Sequence, residues 1–159
     1  TRLFNLLDLD IAIKDAPDAR DLAVTDGVLR FENVSFAYPG SEKRTVLHDV
    51  SFEARRGQTI GIVGPPGSGK STIAHLIPRF YDVTGGKITI DGQAIRKATL
   101  QSLRRAVGVV QQDSFLFTTS IENNIVYGDP WAKEARIERA SGSSSSVIAM
   151  IAAMSFDRE

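Results

Sequence analysis

No cysteine occurs in this sequence, which excludes disulfide bonds and thiolate metal sites. Net charge is also lacking, because nineteen acidic residues balance nineteen basic ones. Without an excess of positive charge, we expect no nucleic-acid partner. The longest apolar run extends only from Val147 to Met154, far short of a membrane span, and no signal peptide is evident.

What remains is the composition of a soluble globular protein, with 42% hydrophobic and 24% charged residues. A chain of 159 residues has room for one domain with a sizeable core. The first residue is Thr1 rather than Met, which indicates a segment of a longer protein.

The most informative stretch is Gly-Pro-Pro-Gly-Ser-Gly-Lys-Ser at residues 64–71, a G-x-x-x-x-G-K-S pattern. It follows the apolar run 59–63, which predicts a buried strand, and precedes a predicted helix from Ser71. Glycines in such a loop let successive backbone N–H groups surround phosphate oxygens, and the helix N-terminus adds a favourable dipole. Lys70 is expected to reach the β- and γ-phosphates, and the Ser71 hydroxyl to bind Mg²⁺. A glycine-rich turn that carries a lysine by chance is the alternative.

Two alternating segments before this loop, 28–38 and 46–53, predict half-exposed strands that pair as an antiparallel ribbon. After the loop, Pro78 is expected to kink or end the helix near 80–81. Asp91-Gly92 predicts a hairpin, and Thr99 predicts a helix N-cap. The apolar run 107–110 predicts a second buried strand, parallel to 59–63.

The following segment resembles a known family. Residues 111–117, Gln-Gln-Asp-Ser-Phe-Leu-Phe, are similar to the Q-loop of ABC transporter ATPase domains of the exporter type. Further resemblance lies in 31–39, 80–92, 102–105 and 125–128, so the likeness covers about 1–128. Lipid and multidrug exporters are the closest in pattern.

This resemblance implies site residues. Tyr38 would stack on adenine, Val46 would pack near the base, Thr72 would lie near the α-phosphate, and Gln112 would contact Mg²⁺ and the attacking water. The implied catalytic residues are Lys70 and Gln112, and the implied metal ligands are Ser71 and Gln112. The implied nucleotide contacts are Tyr38, Val46, Gly64, Pro66, Gly67, Ser68, Gly69, Lys70, Ser71 and Thr72.

Other family features have no counterpart. A signature loop, an aspartate strand ending in a catalytic glutamate and a switch histidine are all missing from the sequence. The serine-rich stretch 141–146 predicts a flexible linker, and 147–159 resembles the end of the family's helical subdomain. The chain is therefore expected to stop about halfway through the domain.

Together these observations predict an α/β fold: an incomplete P-loop NTPase core with a parallel sheet, an antiparallel β subdomain and the start of a helical subdomain. Residues 1–25 would be the linker from a membrane domain, 26–118 the ATP-binding core, and 119–159 the partial helical subdomain. The predicted function is ATP binding, with Mg²⁺, in an exporter that couples hydrolysis to export of lipid or drug-like substrates. Its partners would be a membrane-spanning domain and a second ATPase domain, head to tail, at the cytoplasmic face of a membrane.

Two alternatives stay open. One is a nucleotide-binding fragment or degenerate P-loop module without catalysis. The other is a different P-loop enzyme such as a nucleotide kinase, which the antiparallel strands and the Gln112 loop disfavour.

Overall fold

A computed structural model describes residues 12–41, 44–110, 117–120, 123–124 and 127, and the backbone of 148–150. Residues 1–11 of the predicted linker and the predicted site residue Gln112 lie outside these residues. The strands are β1 (Leu29–Ala37), β2 (Thr45–Ala54), β3 (Gly85–Ile90), β4 (Gln93–Ala94), β5 (Val107–Val109) and β6 (Ile148–Met150). The helices are α1 (Lys70–Leu76), a 3₁₀ turn (Ile95–Lys97) and α2 (Leu100–Ala106). In the described part of the chain, no helix is long and apolar enough to cross a membrane.

The main sheet has four strands in the order β2-β1-β3-β4, all paired antiparallel. This confirms the predicted antiparallel ribbon. The apolar alternation of β1 changes phase, since Leu29 and Phe31 are buried and then Val34 and Phe36. A register shift between Phe31 and Val34, where Asn33 has φ 51°, accounts for the change.

Gly86 lies against this irregularity. Its φ is 71°, and a Cβ at this position would lie 2.2 Å from the Asn33 carbonyl oxygen. Only glycine fits both the conformation and the space, which lets β3 pair closely with β1.

The core forms where the two helices pack on one face of this sheet. Phe31 and Phe36 of β1 are almost fully buried, as are Leu76 of α1 and Leu103 of α2. The core cluster comprises Leu29, Phe31, Val34, Phe36, Leu47, Ile73, Leu76, Ile77, Ile88, Ile90, Ile95, Ala98 and Leu103. Its burial is the main stabilising contribution, at about 25 cal/mol per Å² of apolar surface. The helix that follows the phosphate loop is thereby fixed against the sheet.

The hairpin and cap predictions are confirmed. Asp91 and Gly92 have φ values of 49° and 80° between β3 and β4, as a two-residue type I′ turn requires. The Thr99 side chain accepts a hydrogen bond from the Ser102 N–H at the start of α2. α1 ends at Leu76, slightly earlier than expected, and a turn carries the chain through Pro78.

The predicted parallel core is not what the described residues show. Residues 59–63 belong to no strand, and Val63 is 89% exposed. β5 pairs in parallel with β6 rather than with 59–63, and Val110 is 64% exposed instead of buried. Without hydrogen-bonded neighbours on both sides, an apolar run does not form the interior strand that its composition favours.

β6 is a second correction. The resemblance of 147–159 to the end of a helical subdomain predicts helix there, yet Ile148–Met150 is a strand. A short apolar run is compatible with either element, and here its backbone pairs with Val107–Val109.

Candidate functional site

The phosphate-loop sequence closes into a compact turn before α1. Gly67 and Gly69 have φ values of 79° and 90°, and the Ser68 N–H donates to the Pro65 carbonyl. A Cβ on Gly69 would lie 2.7 Å from the Leu47 side chain and 3.2 Å from that of Val46. Gly69 therefore lets the loop pass directly against β2, which brings the loop and the strand into one site.

Lys70 folds back over the loop that precedes it. Its ammonium donates to the carbonyl oxygens of Gly64, at 2.6 Å, and Pro65, at 2.8 Å. An ammonium carries three donors, so two fix its position and one stays available for a further acceptor. The loop thus presents a positive charge that its own backbone holds in place.

A cavity of about 590 Å³ lies beside Lys70. This volume is within the usual range for a site that takes a small molecule or cofactor. The described residues that line it are Tyr38, Ser41, Arg44, Thr45, Val46, Pro66, Gly67, Gly69, Lys70, Ser71 and Thr72. One cavity therefore joins the end of β1, the start of β2 and the phosphate loop.

Most of the predicted nucleotide contacts line this cavity, but two do not. Gly64 and Ser68 are absent from its lining. Gly64 instead accepts the hydrogen bond from Lys70, and Ser68 shapes the loop through its backbone. Their contact with the nucleotide stays a prediction.

Tyr38 is fixed from two sides. Its ring lies edge-on to Phe36 and Tyr81, with centroids 4.9 Å and 5.2 Å away. Its hydroxyl forms a 2.9 Å hydrogen bond with the hydroxyl of Thr72, which is buried in α1. Tyr38 and Thr72, separated by 34 positions in the sequence, are therefore direct neighbours in the cavity lining.

Sequence reasoning missed three residues of the lining, namely Ser41, Arg44 and Thr45. The predicted pairing of the first two strands could have indicated them. If Tyr38 and Val46 share a site, the connection between them must pass the same cavity.

The electrostatics of the cavity favour an anion. Its described lining includes Arg44 and Lys70 and no carboxylate. The Ser71 hydroxyl is exposed at the same cavity, next to Lys70. A single hydroxyl is a fitting protein ligand for Mg²⁺, which keeps most of its shell for water and phosphate oxygens. The arrangement suits a phosphorylated ligand with a planar group near Tyr38.

Comparisons with known proteins agree with this geometry. The profile of the ABC transporter family matches residues 47–154. The ABC transporter ATP-binding protein YwjA of Bacillus subtilis, described as uncharacterized, is 44% identical over 135 residues, which are 85% of this chain and 23% of that protein. The mitochondrial iron-sulfur clusters transporter ATM1 of Debaryomyces hansenii is 51% identical over 130 residues, which are 79% of this chain and 18% of that protein.

A solved structure of a bacterial Atm1-family ABC exporter with ATP bound is similar in both fold and sequence. The TM-score is 0.78 at 46% identity, over 88% of this chain and 24% of that one. The chain therefore spans about a quarter or less of the length of these relatives.

Proposed function

This chain belongs to the ABC transporter family, and we propose that it binds MgATP as part of the ATPase domain of an exporter. The observation that carries this proposal is the shared cavity of the phosphate loop and Tyr38. The cavity lining combines a cation fixed by loop carbonyls with an aromatic ring held by Phe36 and Thr72. A nucleoside triphosphate likewise combines a polyanion with a planar base.

Six of the predicted residues have a specific role in this proposal. Lys70 binds the β- and γ-phosphates, Thr72 lies near the α-phosphate, and Ser71 together with phosphate oxygens would hold Mg²⁺. Mg²⁺ supplies neutralisation of the charge that develops on the phosphates during transfer. Val46 and Tyr38 flank the base. Gln112, which lies outside the described residues, is proposed to contact Mg²⁺ and the attacking water.

The whole protein is proposed to couple ATP hydrolysis to export across a membrane. A membrane-spanning domain and a second ATPase domain, head to tail, would be its partners at the cytoplasmic face. Both partners are inferred from similar proteins, which include an ABC exporter. This chain covers about a quarter or less of the length of those proteins.

The class of cargo depends on residues outside this chain. The lipid or drug-like cargo suggested by sequence pattern stays a prediction. The name of the Debaryomyces hansenii relative, an iron-sulfur clusters transporter, favours cargo of that kind instead. ATP-dependent uptake into inverted vesicles of the intact protein, compared between an iron-sulfur compound and a lipid, would separate the two.

ATP binding itself is tested through Lys70. Lys70→Ala removes a charge-assisted contact, and we expect MgATP affinity of the intact protein to fall by about 2 kcal/mol, or roughly thirtyfold. Lys97→Ala is the matched control, because Lys97 lies in the 3₁₀ turn and does not line the cavity. Titration with a fluorescent ATP analogue measures both. Equal affinity of Lys70→Ala and wild type would refute the assignment of the loop.

A second candidate is nucleotide binding without hydrolysis. It is favoured by the absence of any carboxylate from the described lining of the cavity, since a general base is needed to activate water. Phosphate release by the intact protein with Mg²⁺, compared with its Lys70→Ala variant, distinguishes binding alone from catalysis.

A further inference from the structure

We infer that Arg44 is a second cationic contact for the nucleotide, in the same cavity as Lys70, and binds its α-phosphate. The inference rests on the proposed function, because it assigns a further residue within the same site. No sequence motif indicates Arg44; its position in the fold does.

The pairing of β1 and β2 places Arg44 and Tyr38 at the same end of the ribbon. Ala37 and Thr45 are partners in the antiparallel ladder, and Tyr38 and Arg44 are the next residues beyond this pair. Two backbone hydrogen bonds close the connection, from the Ser41 N–H to the Tyr38 carbonyl and from the Arg44 N–H to the Ser41 carbonyl. The backbone of Arg44 is thereby held at the rim of the cavity.

The charge of Arg44 is not neutralised by the part of the chain that the structure describes. Arg30 and Arg55 both pair with Glu53. Arg44 has no ion pair of this kind within the described residues, and it lines the cavity with Lys70 and without a carboxylate. Among the described residues, no carboxylate competes with a ligand for its guanidinium.

The two cations are held by different elements. Lys70 is tied to the carbonyls of Gly64 and Pro65, within the loop that is proposed to take the terminal phosphates. Arg44 lies at the same end of the β1–β2 ribbon as Tyr38, where the base is proposed to bind, so we assign to it the phosphate attached to the ribose. A planar guanidinium also matches two phosphate oxygens better than an ammonium does.

The experiment compares ATP and ADP. Arg44→Gln in the intact protein should weaken both nucleotides by the same factor, about tenfold, because both carry the α-phosphate. Lys70→Ala should weaken ATP more than ADP. Arg44→Lys, which keeps the charge but not the planar fork, should lose less than Arg44→Gln. Arg56→Gln, at an exposed turn away from the cavity, is the charge-matched control and should leave both affinities unchanged.

The outcomes separate this inference from the proposed function. Failure of the wild-type protein to bind ATP would overturn the proposed function. Lys70-dependent binding with unchanged affinities in Arg44→Gln would overturn only the role of Arg44. A loss confined to ATP would place Arg44 at the γ-phosphate, and an equal loss for adenosine would place it on the base. Either result overturns the α-phosphate contact.

Discussion

Tyr38 combines two contacts that a pair of substitutions can separate. Its ring packs against Phe36 and Tyr81, and its hydroxyl bonds to Thr72. Only the ring is proposed to contact adenine. The hydroxyl instead connects the end of β1 to α1, the helix that carries Ser71 and Thr72.

Tyr38→Phe should therefore keep most of the affinity for MgATP, because the ring and its neighbours remain. Tyr38→Ala should lose on the order of 1 kcal/mol, about fivefold in Kd. Equilibrium titration of the intact protein measures both variants. If both are silent, the base binds elsewhere and the assignment of this end of the cavity is incorrect.

Among the elements, the β3–β4 hairpin is linked to the segment that leads into β1. The Asp91 carboxylate accepts hydrogen bonds from the backbone N–H groups of four consecutive residues, Thr25 to Val28. Burial raises the pKa of Asp91, but these four bonds outweigh it and leave the pKa below its ordinary value of 3.8. The ionised carboxylate therefore stabilises the folded state.

Asp91→Asn should lower the free energy of unfolding of the ATPase domain by about 1–3 kcal/mol at pH 7. Asparagine is accepted in a type I′ turn, so the loss reflects the carboxylate and not the turn. Since the folded pKa is depressed, the contribution is fully present above the unfolded value of 3.8 and is lost as pH falls through the lower folded value. The difference between wild type and variant should thus stay constant from pH 7 to about pH 5 and shrink below pH 3.8.

Urea denaturation at several pH values measures this difference. Asp26→Asn is the control, because Asp26 contributes its backbone N–H to the same cluster while its side chain lies outside it. A pH-independent difference, or an equal loss in the control, would show that the Asp91 charge does not act in this way.

Whether the sequence predicts one of these elements depends on how far along the chain its hydrogen-bonding partners lie. The β1–β2 ribbon and the Asp91-Gly92 turn were predictable because local patterns determine both. The phase change at Asn33 was not predictable, because it involves Asp49 in the facing strand. The Asp49 carboxylate accepts a hydrogen bond from the side-chain amide of Asn33. The partner of β5 was not predictable either, because β6 lies about 40 residues further along the chain.

The same distinction holds at the site. The residue spacing of 64–71 predicts a phosphate loop, and the predicted roles of Lys70 and Ser71 follow from it. Arg44 and the Tyr38–Thr72 hydrogen bond depend on how β1, β2 and α1 meet in space. Neither has a local pattern that marks it.

At the scale of the whole molecule, the described part of the site has groups that suit nucleotide binding but no general base for hydrolysis. The described lining supplies cations and hydroxyls but no carboxylate. A site that binds the phosphates but has no group to activate water lowers the activation barrier for ATP hydrolysis very little relative to the reaction in water.

Residues 1–159, purified alone, should therefore show no ATP turnover above a Lys70→Ala control, even where they bind ATP. A phosphate-release assay with Mg²⁺ makes the comparison. Turnover of about 1 per second or faster that depends on Lys70 would show that the chain contains a base of its own.

The central claim is that MgATP binds in the cavity between the phosphate loop and the end of β1. Amide hydrogen exchange of the intact protein, measured with and without MgATP, locates the ligand directly. We predict slower exchange across residues 64–72 on addition of MgATP, with no change in the Asp91-Gly92 hairpin, which lies outside the cavity lining. Unchanged exchange across 64–72 under conditions where titration shows MgATP to be bound would contradict the claim.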